Sequence, residues 1–163
     1  MIKAADGYFY VYATESTRNV PIMKSKDLVE WTYCNTAFTN KTRPRFEPKA
    51  GIWAPDINYI NGKYVLYYAM SVWGGEQTCG IGVATANSPQ GPFTDHGKMF
   101  RSNEIGVQNS IDPSLLQYEG RNYLVWGSFR GIYVIELTAD GLSIMSGAKK
   151  KRIAGTAFEA VYI

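Results

Sequence analysis

Carboxylates at the heads of strand-like runs are where this sequence could do chemistry. Asp112 stands in Asn109-Ser110-Ile111-Asp112-Pro113-Ser114, between an apolar residue and a proline, just ahead of Leu115-Leu116-Gln117-Tyr118. Asp56 is placed in the same way within Trp53-Ala54-Pro55-Asp56-Ile57, and Glu159 within Phe158-Glu159-Ala160-Val161-Tyr162. Taken singly, Asp112 is open between two readings: Asp before Pro starts many turns, and an acid at a strand mouth is also a functional position. The three acquire a shared meaning if the fold brings them together. Converging carboxylates disfavour one another's ionised forms, which lets an acid and a base coexist near neutral pH. Glycosidic bond cleavage uses such a set, one protonated carboxyl at the leaving oxygen and one carboxylate acting on water or on the sugar. The bland alternative is that acids at these places only accept hydrogen bonds from backbone amides.

The elements that must position these acids read as a repeat. Residues 7–14 are apolar or aromatic on both faces, as suits a strand buried on both sides. A shorter strand follows at 20–25, then a polar turn, another strand from Trp31, and a loop over 40–49 punctuated by Pro44 and Pro48. A second unit runs over 52–60, turns at Asn61-Gly62 and returns through 63–70. Asn-Gly between two apolar runs is the strongest short-range hairpin signal. A third strand at 80–85 and a turn over 88–95 complete it. The third unit starts at Asp112, turns at Glu119-Gly120, returns through 123–129 and continues at 131–137. Each unit has a carboxylate near its start, a glycine turn, an aromatic second strand and a smaller third strand. A repeat of about 40–50 residues built of four short strands is the signature of a propeller blade. The sequence therefore predicts an all-β propeller with one blade over 1–50, a second over 51–108, a third over 109–155 and the start of a fourth at 156–163. First strands of blades line a common channel, which would gather Asp56, Asp112 and Glu159 around one pocket.

Composition narrows the partners. The 163 residues are long enough for a real core, and the apolar and charged fractions, 45% and 19%, are those of an ordinary globular protein. A formal charge of +3 is too small to point to nucleic acid, and Lys149-Lys150-Lys151-Arg152 reads as a solvated loop. No window approaches the roughly 18 consecutive apolar residues of a membrane helix, so no membrane is expected as a partner. The first residues do not follow the basic-then-apolar layout of a signal peptide, and the chain itself carries no address. Cys34, Cys79 and His96 lie at no metal-ligand spacing and are read as structural. Twelve tyrosines and four tryptophans suit both an all-β core and a carbohydrate site.

Trp53-Ala54-Pro55-Asp56-Ile57, then Asn109-Ser110-Ile111-Asp112-Pro113, then Gly127-Ser128-Phe129, then Phe158-Glu159 before Tyr162-Ile163 resemble the motif series of glycoside hydrolase family 43. The resemblance covers essentially the whole chain. It implies a five-bladed propeller and an inverting hydrolase of arabinose- and xylose-containing plant polysaccharides, arabinan above xylan. By the same resemblance, Glu159 matches the general acid, and Asp112 matches the modulator that orients and tunes it. Trp53 matches an aromatic platform for the sugar, with Trp73, Asn109 and Phe129 as further substrate contacts. For Trp53, Trp73 and Phe129, core packing is the competing reading. Asp56 matches a pocket-lining position, either structural or in contact with substrate. The family's general base, an Asp in an Asp-Pro motif opening the first blade, has no match here: by the repeat, Asp6 falls in a turn away from the channel. Ala160 stands where the family usually has Gly. The expectation is thus an incomplete propeller that keeps acid and modulator, lacks the base and has little activity alone. The alternative is a non-catalytic carbohydrate-binding propeller. Open blade edges predict self-association. The resemblance implies a calcium ion held partly by a histidine of a later blade, but no histidine matches, so no metal or cofactor is expected in this chain. Polysaccharide substrates imply a secreted or periplasmic parent.

Overall fold

Hairpin follows hairpin along this chain because glycine turns alternate with short apolar and aromatic runs. The computed structural model describes residues 1–15 and 17–163. Its first antiparallel sheet comprises β1 (Ile2–Lys3), β2 (Phe9–Tyr12), β3 (Pro21–Ser25) and β4 (Thr32–Thr36), hydrogen-bonded in that order. The second comprises β5 (Gly51–Ile60), β6 (Lys63–Ser71), β7 (Gly80–Ala86) and β8 (Thr94–Arg101), and the third β9 (Ser114–Tyr118), β10 (Arg121–Ser128), β11 (Gly131–Leu137) and β12 (Lys151–Ala154), again each in chain order. A single helical turn, α1 (Ser102–Ile105), follows β8. Three successive four-stranded up-and-down sheets are the all-β arrangement expected of propeller blades.

Both predicted tight turns have the backbone their residues favour. Asn61 and Gly62 join β5 to β6 with φ of 48° and 82°, and Glu119 and Gly120 join β9 to β10 with φ of 49° and 73°. Positive φ at both central residues gives a turn whose twist matches that of the flanking strands.

The central sheet is buried on both faces, and β6 shows why a near-continuous apolar run was required. Side chains alternate across a strand. Tyr64, Leu66, Tyr68 and Met70 therefore enter the core shared with the first sheet, beside Tyr10, Ile22 and Phe38. Val65 and Tyr67 enter the core shared with the third sheet, beside Leu124, Trp126 and Leu137. Tyrosine hydroxyls at these depths reach acceptors on other segments: Tyr67 donates to the Gly141 carbonyl at 2.8 Å and Tyr68 to Asp95 at 2.6 Å.

Three sequence expectations need correction. The run at 7–14 is a shorter strand, Phe9–Tyr12, and it is the second strand of its sheet; the two residues of β1, too few to show periodicity, pair ahead of it. Strand β8 opens on the polar run Thr94-Asp95-His96-Gly97-Lys98, whose first two residues carry a turn signal, and its apolar pair Met99-Phe100 comes only near its end. The basic run is a loop only in its first half: Lys149 and Lys150 precede the strand, while Lys151 and Arg152 pair with Val134 and Tyr133 in the outer strand β12. An edge strand keeps its charged side chains in water, which also discourages further strand pairing. Residues 155–163 continue past β12 without joining a sheet.

Candidate active site

Of the three acids expected at strand starts, only Asp112 stands at one: Asp56 lies in the middle of β5 and Glu159 in the segment after β12 that joins no sheet. Asp112 precedes β9 by two residues and has φ of 54°; Asn109 has φ of 55°, Ala54 44° and Ala160 52°. Left-handed backbone costs an L-residue with a Cβ about 1–2 kcal/mol, and strained positions cluster at functional sites. All four residues line one cavity of about 610 Å³. The cavity is bounded also by Trp53, Trp73, Glu76, Ser128, Phe129 and Glu159. Ala160 at φ 52° gives a physical reason for glycine at the matching family position.

Asp112 is half-buried and accepts the Ala160 N–H at 3.1 Å. That bond fixes the segment carrying Glu159, whose carboxylate accepts the Ser128 hydroxyl at 3.3 Å. Burial raises the Asp112 pKa above the usual carboxylate value; the Ala160 amide opposes this and the nearby Glu159 charge adds to it. Ser128 is the last residue of β10, and Gly127 before it, at φ 128°, lies in close approach to β11. A Cβ at Gly127 would lie 2.2 Å from the Gly131 carbonyl oxygen. The Gly127 N–H donates to the Ile111 carbonyl at 2.9 Å, which links the end of β10 to the loop bearing Asp112.

The aromatic residues form a surface beside the acids. Trp53 packs against Ala69, Cys79 and Ile111, and its ring lies 5.5 Å from that of Trp73 at a 52° tilt. Trp73 is 94% exposed, so its ring is not explained by core packing, and Phe129 is half exposed. Asn109 is tied to the same rim, its N–H donating to the Glu76 carbonyl at 2.7 Å.

The fold thus brings Trp53, Trp73, Asn109, Asp112, Phe129 and Glu159 around one cavity and leaves Asp56 outside its lining. Asp56 accepts the Leu115 N–H and the Asn58 amide, each at 2.8 Å. The bland reading, a carboxylate serving a backbone amide, describes its contacts. Burial raises its pKa, with those two donors opposing. Asp6 lies in the turn between β1 and β2 and accepts the Tyr10 hydroxyl at 2.7 Å.

Ser128, Glu76 and Arg130 were not singled out from sequence. Ser128 sits within the quoted Gly-Ser-Phe run, a signal that pointed to Phe129 alone. Glu76 lines the cavity, and Arg130 donates to both of its oxygens at 3.0 and 3.2 Å. A carboxylate engaged on both oxygens is poorly placed to take a proton from water. Apart from Asp112 and Glu159, Glu76 is the only carboxylate among the described residues lining the cavity. The single histidine, His96, pairs with Thr85 at 2.8 Å, and among the described residues no three His, Cys, Asp or Glu side chains gather.

Comparison with known proteins gives the chain's relatives. The model for "Glycosyl hydrolases family 43" matches residues 1–163. The extracellular endo-α-(1→5)-L-arabinanase 1 of Bacillus subtilis is 37% identical over 137 residues, 79% of this chain and 42% of that protein. A probable arabinan endo-1,5-α-L-arabinosidase C of Neosartorya fischeri is 33% identical over 157 residues, 93% of this chain and 47% of that protein. Among solved structures, a Cellvibrio cellulosa α-L-arabinanase complexed with arabinohexaose superposes with a TM-score of 0.82 at 26% identity, covering 99% of this chain and 56% of that one. The chain spans about half the length of the curated relatives it matches.

Proposed function

The chain belongs to the glycosyl hydrolases of family 43, and from that premise we propose that it supplies the acid side of an inverting hydrolase that cleaves arabinan. The observation that carries this reading is the bond from the Ala160 N–H to Asp112, which holds Glu159 at a cavity walled by two tryptophans. Glu159 is the general acid in this reading: its proton passes to the glycosidic oxygen as the bond to the anomeric carbon breaks. Asp112 is a positioning residue that fixes the acid through the backbone beside it. The exposed Trp73 ring and the tilted Trp53 ring supply apolar faces for sugar rings. Two arabinan-cleaving relatives and a neighbour that binds arabinohexaose favour arabinan over xylan as the substrate.

Inversion also needs a carboxylate to activate water on the opposite face of the sugar, about 6.5–9.5 Å from the acid. Glu76 is held by Arg130 and Asp6 lies in a turn. These residues therefore supply acid and orienter without a base, and the chain alone is expected to turn over little or nothing. A complete propeller of five blades would surround the same cavity. The B. subtilis relative is named extracellular, which favours a secreted parent.

The test is sugar release from linear arabinan, measured for this chain and for a form extended to the length of its relatives. Turnover is expected only in the extended form and should disappear with Glu159→Gln. Release by the short chain, abolished by the same substitution, would refute the missing base. The second reading, a sugar-binding surface without chemistry, rests on the ion-paired state of Glu76. Binding without turnover in the extended form would establish it.

A further inference from the structure

A second cavity, of about 630 Å³, opens beside the first between the initial two sheets. Its wall carries four cations, Arg18, Arg43, Arg45 and Lys49, against two acids, Glu15 and Glu47. Both acids are committed within the fold. Glu15 pairs with Arg43 and accepts the N–H groups of Asn19 and Ile52 at 2.7 and 2.8 Å. Glu47 pairs with Arg101 at 2.8 Å and accepts the Thr78 hydroxyl at 3.2 Å. Arg18, Arg45 and Lys49 are exposed, and among the described residues none of them forms an ion pair. Lys49 is held in left-handed backbone at φ 66°. The cavity is therefore cationic after its internal pairs are counted.

The two cavities share the start of β5. Gly51 lines the cationic one and Trp53 the other, and a Cβ at Gly51 would lie 2.5 Å from the Trp53 indole nitrogen. The Trp53 ring thus borders the partition between the neutral cavity and the one that Arg45 and Lys49 line. A volume of this order suits a small organic ligand rather than a bare ion. Guanidinium groups present paired donors that match a carboxylate.

We propose that this second cavity binds the carboxylate of a uronate-type acidic sugar, carried on the same polysaccharide whose neutral part occupies the neighbouring cavity. The assignment rests on the carbohydrate reading of that neighbour for its ligand class. Its charge and geometry stand independently.

Binding of trigalacturonate, arabinohexaose and inorganic phosphate to the purified chain, followed by calorimetry at low and moderate salt, tests this. Trigalacturonate should bind, more weakly as salt rises, and Arg45→Ala with Lys49→Ala should weaken it at least tenfold while arabinohexaose binding stays within twofold. Lys151→Ala with Arg152→Ala on β12 removes the same charge elsewhere and should change trigalacturonate binding less than twofold. No trigalacturonate binding, equal losses in the two double variants, or phosphate binding as tight as trigalacturonate would each overturn the proposal. Loss of arabinohexaose binding alone would count against the neutral-sugar cavity and leave this site standing.

Discussion

Asp56→Ala removes an acceptor that joins the second sheet to the third, and its cost follows from what it leaves behind. Leu115 is 6% exposed, and its N–H has Asp56 as partner at 2.8 Å. Truncation leaves that amide unpaired in a place water reaches poorly, a penalty of about 1–3 kcal/mol. For a chain of this length each kcal/mol corresponds to about 2–4 °C in Tm, so a fall of roughly 2–12 °C is expected by circular dichroism. Asp56→Asn keeps an acceptor oxygen and should cost less. The comparison also carries a pH signature. The folded pKa of Asp56 is raised, chiefly by burial. As pH rises above about 3.9 the unfolded carboxyl ionises first, so the unfolded state binds fewer protons and wild-type stability falls until the folded pKa is passed. Asparagine has no such titration. The Asn variant should therefore gain on wild type between acid and neutral pH. An unchanged Tm for Asp56→Ala, or a gap between wild type and Asp56→Asn that does not vary with pH, would refute the reasoning.

Trp73→Ala removes a ring that is 94% exposed, so stability should change by less than about 0.5 kcal/mol. Loss of an aromatic contact worth about 0.5–1.5 kcal/mol should weaken arabinohexaose binding about twofold to tenfold, which calorimetry reads directly. Gly127→Ala places a Cβ 2.2 Å from the Gly131 oxygen and in unfavourable backbone. A loss of about 3 kcal/mol or more, seen as a Tm lowered by at least about 6 °C, is expected; a variant as stable as wild type would show that the β10–β11 approach has room to spare.

Much of the architecture was legible because it is encoded locally. Alternation in β6 and the turn chemistry of Asn61-Gly62 and Glu119-Gly120 depend on residues close together in the chain. Comparison of the repeats also placed Asp6 in its turn. What escaped was carried by few residues or by polar ones: β1 has two residues, β8 opens on a polar run, and β12 takes its first two residues from the basic run. An edge strand is held by backbone hydrogen bonds, which leave no mark on side-chain type.

The acids show the division most clearly. Their recurrence was sequence information, and it placed Asp56, Asp112 and Glu159 as equals around one pocket. The motif resemblance gave them different roles, but only the tertiary structure decided where each carboxylate points, because its partners lie far apart in sequence. The Leu115 amide, 59 positions from Asp56, takes that carboxylate for a link between sheets. The Ala160 amide, 48 positions from Asp112, sets a second carboxylate to holding a third in place. Local residue order determined which side chains could ionise; packing between sheets determined which of them face the cavity.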